Sequence, residues 1–179
     1  IPGLEQNVIL IDSVSKRYNL CGARIGCIVS HNKDVMAAAM KFAQARLCPP
    51  VLGQMAAIGA LDTPDEYFDD VKEEYIKRRD FMIEGLNRME GVFTPLPMGA
   101  FYTIAELPVD DTECFAKWML ENFRIDNETT MVTPAASFYK TPGKGKNHAR
   151  IAYVLEIDEM KKALHILEEG LKAYPGRTL

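Results

Sequence analysis

Residues 8–30 decide the fold: Val8-Ile9-Leu10-Ile11-Asp12-Ser13-Val14-Ser15-Lys16, then a polar loop, then Gly22-Ala23-Arg24-Ile25-Gly26 and Cys27-Ile28-Val29-Ser30. The two apolar runs, residues 8–12 and 25–30, have the continuous hydrophobicity of strands that are buried on both faces of an α/β sheet. The segment between them, residues 13–24, is predicted to be a loop. Because α/β folds place their chemistry on loops at strand ends, we expect this loop to be functional.

The loop gathers two hydroxyls, an amine and a guanidinium, which together suit a phosphorylated ligand that carries an aldehyde. A lysine amine can form a Schiff base with a carbonyl group. Serine hydroxyls and arginine bind phosphate oxygens through charge-assisted hydrogen bonds. Each residue also has an ordinary explanation, since a lone lysine is usually a solvated surface residue and a pair of serines usually belongs to a turn. The loop chemistry alone leaves both interpretations open.

Composition excludes several classes of protein. The chain has 179 residues, of which 47% are apolar and 26% charged, as in ordinary globular proteins. A net charge of -4 argues against binding to nucleic acid or to an anionic membrane surface through bulk charge. No apolar run is long enough for a membrane span. The cysteines form no CxxC pair and no cluster with histidine, so we expect no metal site and reduced, mostly buried thiols in a cytoplasmic protein.

The remaining pattern predicts an alternation of helices and strands. Thr63-Pro64-Asp65-Glu66 is a helix start signal, and the apolar spacing after it predicts one long helix up to Gly91. The other expected elements are helices at about 33–48, 52–61, 111–123 and 158–173, and strands at 100–106, 130–133 and 149–155. We therefore divide the chain into residues 1–63, an α/β part, and residues 64–179, the long helix with a compact α+β domain.

A resemblance to a known family becomes specific at the lysine. Ser13-x-Ser15-Lys16 followed by Gly22-x-Arg24-x-Gly26 resembles the lysine motif of fold type I pyridoxal-phosphate aminotransferases, the aspartate aminotransferase superfamily. Three later segments resemble that family in the same order: Pro97-Met98-Gly99-Ala100-Phe101-Tyr102, Val132-Thr133-Pro134-Ala135-Ala136-Ser137-Phe138, and His148-Ala149-Arg150-Ile151. Ala135 stands where the family usually has glycine, so we expect a different turn there.

The resemblance implies a role for each candidate site residue. Lys16 would be the catalytic residue and would hold pyridoxal 5'-phosphate, with Ser13, Ser15 and Arg24 binding the cofactor, chiefly through its phosphate. Arg150 would bind the α-carboxylate of the substrate. The implied reaction is transamination between an amino acid, aspartate by default, and a 2-oxo acid, in a cytoplasmic homodimer.

The resemblance also implies that the chain is the C-terminal portion of such an enzyme. The expected architecture is the end of the large-domain sheet, a long linking helix and an α+β small domain. In the family, the acidic partner of the pyridine nitrogen and the glycine-rich phosphate loop lie before the lysine motif. We therefore expect the chain alone neither to bind the cofactor tightly nor to turn over.

Two other functions fit the same motif. A carbon–sulfur lyase or a decarboxylase of the same fold would use the same lysine, serines and arginine. An aminotransferase-like effector domain of a transcriptional regulator would use the motif to sense the cofactor.

The aromatic residues Phe101, Tyr102 and Phe138 would either line the substrate pocket or belong to the core.

Overall fold

The computed structural model describes residues 2–179, which separate into two compact units. The first unit ends at Tyr67, and the second is Phe68–Leu179. Over the described residues, no helix combines the length and apolar character needed to cross a bilayer.

The main elements of the first unit are β1 (Ile9–Ser13), α1 (Val14–Arg17), β2 (Gly26–Ser30), α2 (Lys33–Arg46) and α3 (Val51–Ala60). β1 and β2 pair antiparallel, with Ser13 opposite Gly26. Both predicted strands are confirmed. The predicted loop contains more structure than expected, because α1 and a 3-10 turn at Cys21–Ala23 lie within it.

The expectation that these strands are buried is wrong for the described chain. Ile11 is 79% exposed and Val29 is 55% exposed, because β1 and β2 form a two-stranded ribbon with no second layer over these side chains. Among residues 2–67, only Gly53 and Ala60 are buried. The first unit therefore presents apolar strands without a core of its own.

Local sequence signals set the helix ends. α2 begins after Asn32, whose side chain accepts hydrogen bonds from the backbone N–H groups of Asp34 and Val35. It ends at Arg46, before Pro49-Pro50, as expected. The predicted long helix is α4, which spans Asp65–Arg88 and begins directly after Pro64.

The second unit is an α+β structure built on a three-stranded antiparallel sheet. Its later elements are β3 (Tyr102–Glu106), α5 (Thr112–Asn122), β4 (Thr133–Pro134), β5 (His148–Ala152) and α6 (Ile157–Ala173). The strand order is β3-β5-β4, so β5 is central. Only Thr133 of the predicted strand at 130–133 lies in β4, because the pairing with β5 is limited to Thr133 opposite Arg150 and Pro134 opposite Ala149.

The hydrophobic core lies in the second unit, where α4, α5 and α6 contribute Leu86, Phe115, Met119, Met160 and Leu167, each at most 2% exposed. α6 buries one apolar face, which includes Met160, Leu164, Ile166, Leu167 and Leu171. The expected burial of the thiols is wrong. The four cysteines, Cys21, Cys27, Cys48 and Cys114, are all free and exposed. Three of them lie in the first unit, which has little interior to bury them.

Candidate active site

Ser13 and Ser15 bring two hydroxyls together immediately before Lys16. Ser13 ends β1 and is the N-cap of α1, where its Oγ accepts a hydrogen bond from the Ser15 backbone N–H at 3.1 Å. The two hydroxyl oxygens are 2.9 Å apart. Lys16 follows in α1 with an exposed side chain. The cap therefore places two hydroxyls and an amine on one short turn.

Arg24 lies on the neighbouring segment. The carbonyl of Ile25 accepts hydrogen bonds from the Ser13 hydroxyl at 3.1 Å and from the Val14 N–H at 3.3 Å. Since Ser13 also pairs with Gly26, the serine turn sits beside the entry to β2. Arg24 itself has a left-handed backbone, with φ 55°, and donates from Nη1 to the carbonyl of Cys21 at 2.8 Å. The structure thus brings the segments that carry Ser13, Ser15, Lys16 and Arg24 into one loop system.

Gly53, in α3, lies directly against the backbone of this loop system at Ala23. A Cβ atom on Gly53 would overlap the carbonyl oxygen of Ala23, so only glycine lets α3 approach the turn before Arg24 so closely. The lysine motif does not include this residue. Its one sequence signal is a glycine within an apolar helical pattern, which often marks a close backbone approach.

The donor set of the loop fits pyridoxal phosphate. The hydroxyls of Ser13 and Ser15 contact each other, and the guanidinium of Arg24 contacts a backbone carbonyl, so each can exchange that contact for a phosphate oxygen. The nearby carboxylate of Asp12 is already paired with Arg17 at 2.9 Å. No ion pair of Arg24 with a carboxylate occurs in the described part of the chain. The loop therefore keeps its positive charge for an anionic ligand.

Arg150 lies in the second unit, on the central strand β5. Its guanidinium carbon is 5.4 Å from the centre of the Tyr102 ring and 5.1 Å from the centre of the Phe138 ring. Within residues 2–179, Arg150 enters no ion pair. Two aromatic faces hold the cation while its N–H groups remain suited to a carboxylate. We call Tyr102, Arg150 and Phe138 the arginine clamp.

Exposure separates the aromatic side chains of the clamp from those of the hydrophobic core. Tyr102 is 39% exposed and Phe138 is 53% exposed, so neither is a core residue. Phe101, by contrast, packs against the hydrophobic core. The alternating burial along β5 explains this arrangement, because Ala149 and Ile151 face the core and Arg150 points to the other side of the sheet.

Ala135 is accommodated without strain where glycine was the expected residue. Its φ is −106°, a value open to any L-residue, and its side chain is buried. Its N–H donates to the carbonyl of His148 at 2.9 Å. The turn here therefore does not require glycine.

Tyr139 and His148 also lie close to the clamp and were not predicted from the sequence. The Tyr139 hydroxyl and His148 Nδ1 are hydrogen-bonded at 2.7 Å. No local sequence signal points to this pair, because the two residues are nine positions apart on either side of a turn. Over residues 2–179, no group of three or more His, Cys, Asp or Glu side chains is arranged to hold a metal ion.

Comparison with known proteins identifies the family of the chain. The sequence profile of the family "Aminotransferase class I and II" matches residues 2–167. An aspartate aminotransferase from Rhizobium meliloti is 28% identical over 183 aligned residues, which cover 96% of this chain and 42% of the relative. An LL-diaminopimelate aminotransferase from Natranaerobius thermophilus is 32% identical, with 92% of this chain and 40% of the relative covered.

A solved structure has a similar fold over most of the chain. The crystal structure of an aromatic aminotransferase from Pyrococcus horikoshii superposes with a TM-score of 0.78 at 27% identity, covering 96% of this chain and 44% of that one. The chain thus spans less than half the length of each of these relatives. The profile match includes every candidate site residue from Ser13 to Arg150. The chain therefore belongs to the class I and II aminotransferase family.

Proposed function

We propose that the full-length protein is a pyridoxal-phosphate-dependent aminotransferase that moves an amino group between an amino acid and a 2-oxo acid. In this proposal the chain is the C-terminal portion of that enzyme, with the large domain ending near residue 63 and the long helix and small domain following. The observation that carries the proposal is the pair of converging hydroxyls beside Lys16, 2.9 Å apart, on the segment that pairs with the entry to β2.

Each candidate residue then has one task. Ser13, Ser15 and Arg24 bind the cofactor phosphate, which fixes the cofactor relative to α1. Bound pyridoxal phosphate supplies the electron sink that makes the α-proton of the substrate acidic. Lys16 would hold the cofactor through its amine. Once the amine of the substrate has replaced it there, the freed Nζ of Lys16 would take up the proton that leaves the substrate α-carbon. Arg150 holds the α-carboxylate through two parallel hydrogen bonds, which sets the orientation of the α-carbon.

The proposed donor is an aspartate-like amino acid. Several of the relatives carry the name aspartate aminotransferase, among them the one from Rhizobium meliloti. Other relatives are named for LL-diaminopimelate or for aromatic substrates, so family membership alone does not determine the side chain of the amino donor.

We also propose that the full-length protein is a homodimer in the cytoplasm. Exposed apolar residues on α3, such as Leu52 at 80% and Ile58 at 67%, offer a surface that further protein would cover.

We further propose that these 179 residues alone neither bind the cofactor tightly nor turn over. Two observations support this. The chain covers 42% of the Rhizobium relative, and the apolar side chains of β1, on the strand that leads into Ser13, are exposed to solvent. A cofactor held beside an uncovered strand would lie open to water, which weakens its electrostatic contacts.

A panel of amino donors tests the reaction class in the full-length protein. The purified holoenzyme is mixed with single amino acids, and the cofactor absorbance is followed before and after a 2-oxo acid is added. A transaminase changes its spectrum with the donor alone and recovers it with the oxo acid. Release of more than one equivalent of pyruvate, ammonia or carbon dioxide per active site without any oxo acid would contradict the proposal and indicate a lyase or a decarboxylase.

A further inference from the structure

A hydrogen bond between Tyr139 and His148 lies beside the arginine clamp. Tyr139 directly follows Phe138, and His148 lies two residues before Arg150 on the same face of β5. Their side chains are joined from hydroxyl to Nδ1 at 2.7 Å, with the two rings edge to face and their centroids 5.4 Å apart. The bond thus ties the segment that carries one clamp ring to the strand that carries the clamped cation.

The surrounding backbone leaves the pair little freedom. The carbonyl of His148 accepts from the Ala135 N–H at 2.9 Å, and the His148 N–H donates to the carbonyl of Gly145 at 3.0 Å. Gly145 has a φ of 72°, and a Cβ atom there would overlap the Tyr139 ring. The Tyr139 ring therefore packs on bare backbone on one side and bonds to His148 through its hydroxyl.

This arrangement lies outside the hydrophobic core. The core cluster of the described chain includes neither member of the hydrogen-bonded pair and none of the clamp residues. Phe138 is 53% exposed, so the core does not hold its ring in place. Tyr139, the next residue along the chain, is restrained by its hydrogen bond to His148.

We propose that Tyr139 and His148 are positioning residues for carboxylate recognition. Their hydrogen bond keeps the Phe138 ring against the guanidinium and so fixes the plane in which Arg150 presents its N–H donors. This inference rests on the proposed function, in which Arg150 binds the substrate α-carboxylate. Neither residue touches the substrate; both act through the clamp.

The test is Tyr139→Phe in the full-length enzyme, which removes the hydroxyl and keeps the ring that packs on Gly145. The loss of one hydrogen bond is expected to raise the KM for L-aspartate about fivefold, with little change in kcat. The half-reaction with β-alanine, which is aspartate without its α-carboxylate, is expected to keep its rate. Tyr174→Phe is the matched control, because it removes a tyrosine hydroxyl that bonds to Asp110 in the same unit.

Histidine variants separate positioning from general damage. His148→Asn keeps a polar atom near the position of Nδ1 and is expected to retain a KM near that of the wild type. His148→Ala is expected to reproduce the Tyr139→Phe effect. An unchanged KM in Tyr139→Phe would overturn the inference, as would an equal loss with L-aspartate and β-alanine.

A second measurement keeps the inference separate from the proposed function. If the wild type shows no spectral change with any amino acid, the proposed function fails, and acetate is titrated into the full chain while the Arg150 side-chain N–H signal is followed by NMR. Acetate binding that is about fivefold weaker in Tyr139→Phe than in the wild type would still support the positioning role. Equal acetate affinities, or no response at Arg150, would overturn it.

Discussion

Arg150 shows what one residue gains from its surroundings. The sequence places an arginine at the start of a strand, and the family resemblance assigns it a carboxylate. It does not reveal the two aromatic rings, because Phe138 comes from a separate turn and Tyr102 from the neighbouring strand β3. Whether these aromatic residues line a site or fill the core depends on which side of the sheet they face, and that is decided by packing over the whole unit.

Replacement of Arg150 by lysine tests the planar clamp. Lysine keeps the charge but loses the flat guanidinium that stacks between two rings and forms two parallel hydrogen bonds. We expect the KM for the amino donor to rise about tenfold or more in the full-length enzyme. Arg124→Lys is the matched control, because the Arg124 guanidinium donates to the carbonyl of Leu120 in α5. Steady-state kinetics that do not distinguish the two variants would count against a role for Arg150 in binding.

Tyr174 provides a pH prediction at the same scale. Burial, together with a hydrogen bond to Asp110, raises the pKa of Tyr174 from its usual value near 10 to about 12. The unfolded chain releases this proton near pH 10, whereas the folded chain keeps it to about pH 12. Its contribution to stability is therefore complete below pH 10 and is lost as the pH rises towards 12.

The measurement is the free energy of unfolding from pH 9 to 12 for the wild type and Tyr174→Phe. The wild type should lose stability more steeply over that range, because only it carries this tyrosine. The other titrating groups are common to both proteins and cancel in the difference. Parallel curves would show that Tyr174 ionises at its ordinary pKa.

At the scale of elements, local sequence signals predict where helices and strands lie. They do not predict which elements pair or pack with one another. The ends of α2 follow from Asn32 and from Pro49-Pro50, and the start of α4 from Pro64, all visible in the sequence. β4 is limited to Thr133 and Pro134, the two residues that pair with β5, and this long-range pairing cannot be seen in the local sequence. The turn at Ser13 was predicted as a loop, because a four-residue helix carries too little periodicity to be recognised.

Packing restricts the backbone of the turn before β5. Gly145→Ala is expected to destabilise the protein by about 2 kcal/mol or more, since it combines a left-handed φ with a clash against the Tyr139 ring. Gly143→Ala is the matched control, because Gly143 has a φ of 80° but nothing within 4 Å of a Cβ atom. We expect that variant to lose only about 1 kcal/mol. Equal losses in chemical denaturation would show that packing against Tyr139 adds nothing.

At the scale of the whole molecule, the two units differ in how much core they contain. The hydrophobic cluster runs from Met82 to Tyr174 and lies entirely in the second unit. The pattern of helices and strands predicts a division into two parts, and the family resemblance predicts the fold class. Sequence pattern alone could not predict that β1 and β2 are exposed, because an apolar run does not show whether a covering layer is present.

Hydrogen exchange on the 179-residue chain tests this difference. Amides of β5 and α6 are expected to exchange at least about tenfold more slowly than those of β1 and β2, because local opening is easier where few apolar side chains are buried. Mass spectrometry of peptic fragments gives both rates in one sample. Equal protection in the two units would contradict the unequal cores.

The central claim is that Lys16 is the cofactor-binding lysine of an aminotransferase. The most direct measurement is borohydride reduction of the full-length protein with pyridoxal phosphate, followed by peptide mass spectrometry. We predict that the phosphopyridoxyl mass is found on the peptide containing Lys16, is lost in Lys16→Arg and is retained in Lys33→Arg, which changes an exposed lysine at the start of α2. Stable labelling at another lysine, with Lys16 unmodified, would contradict the claim.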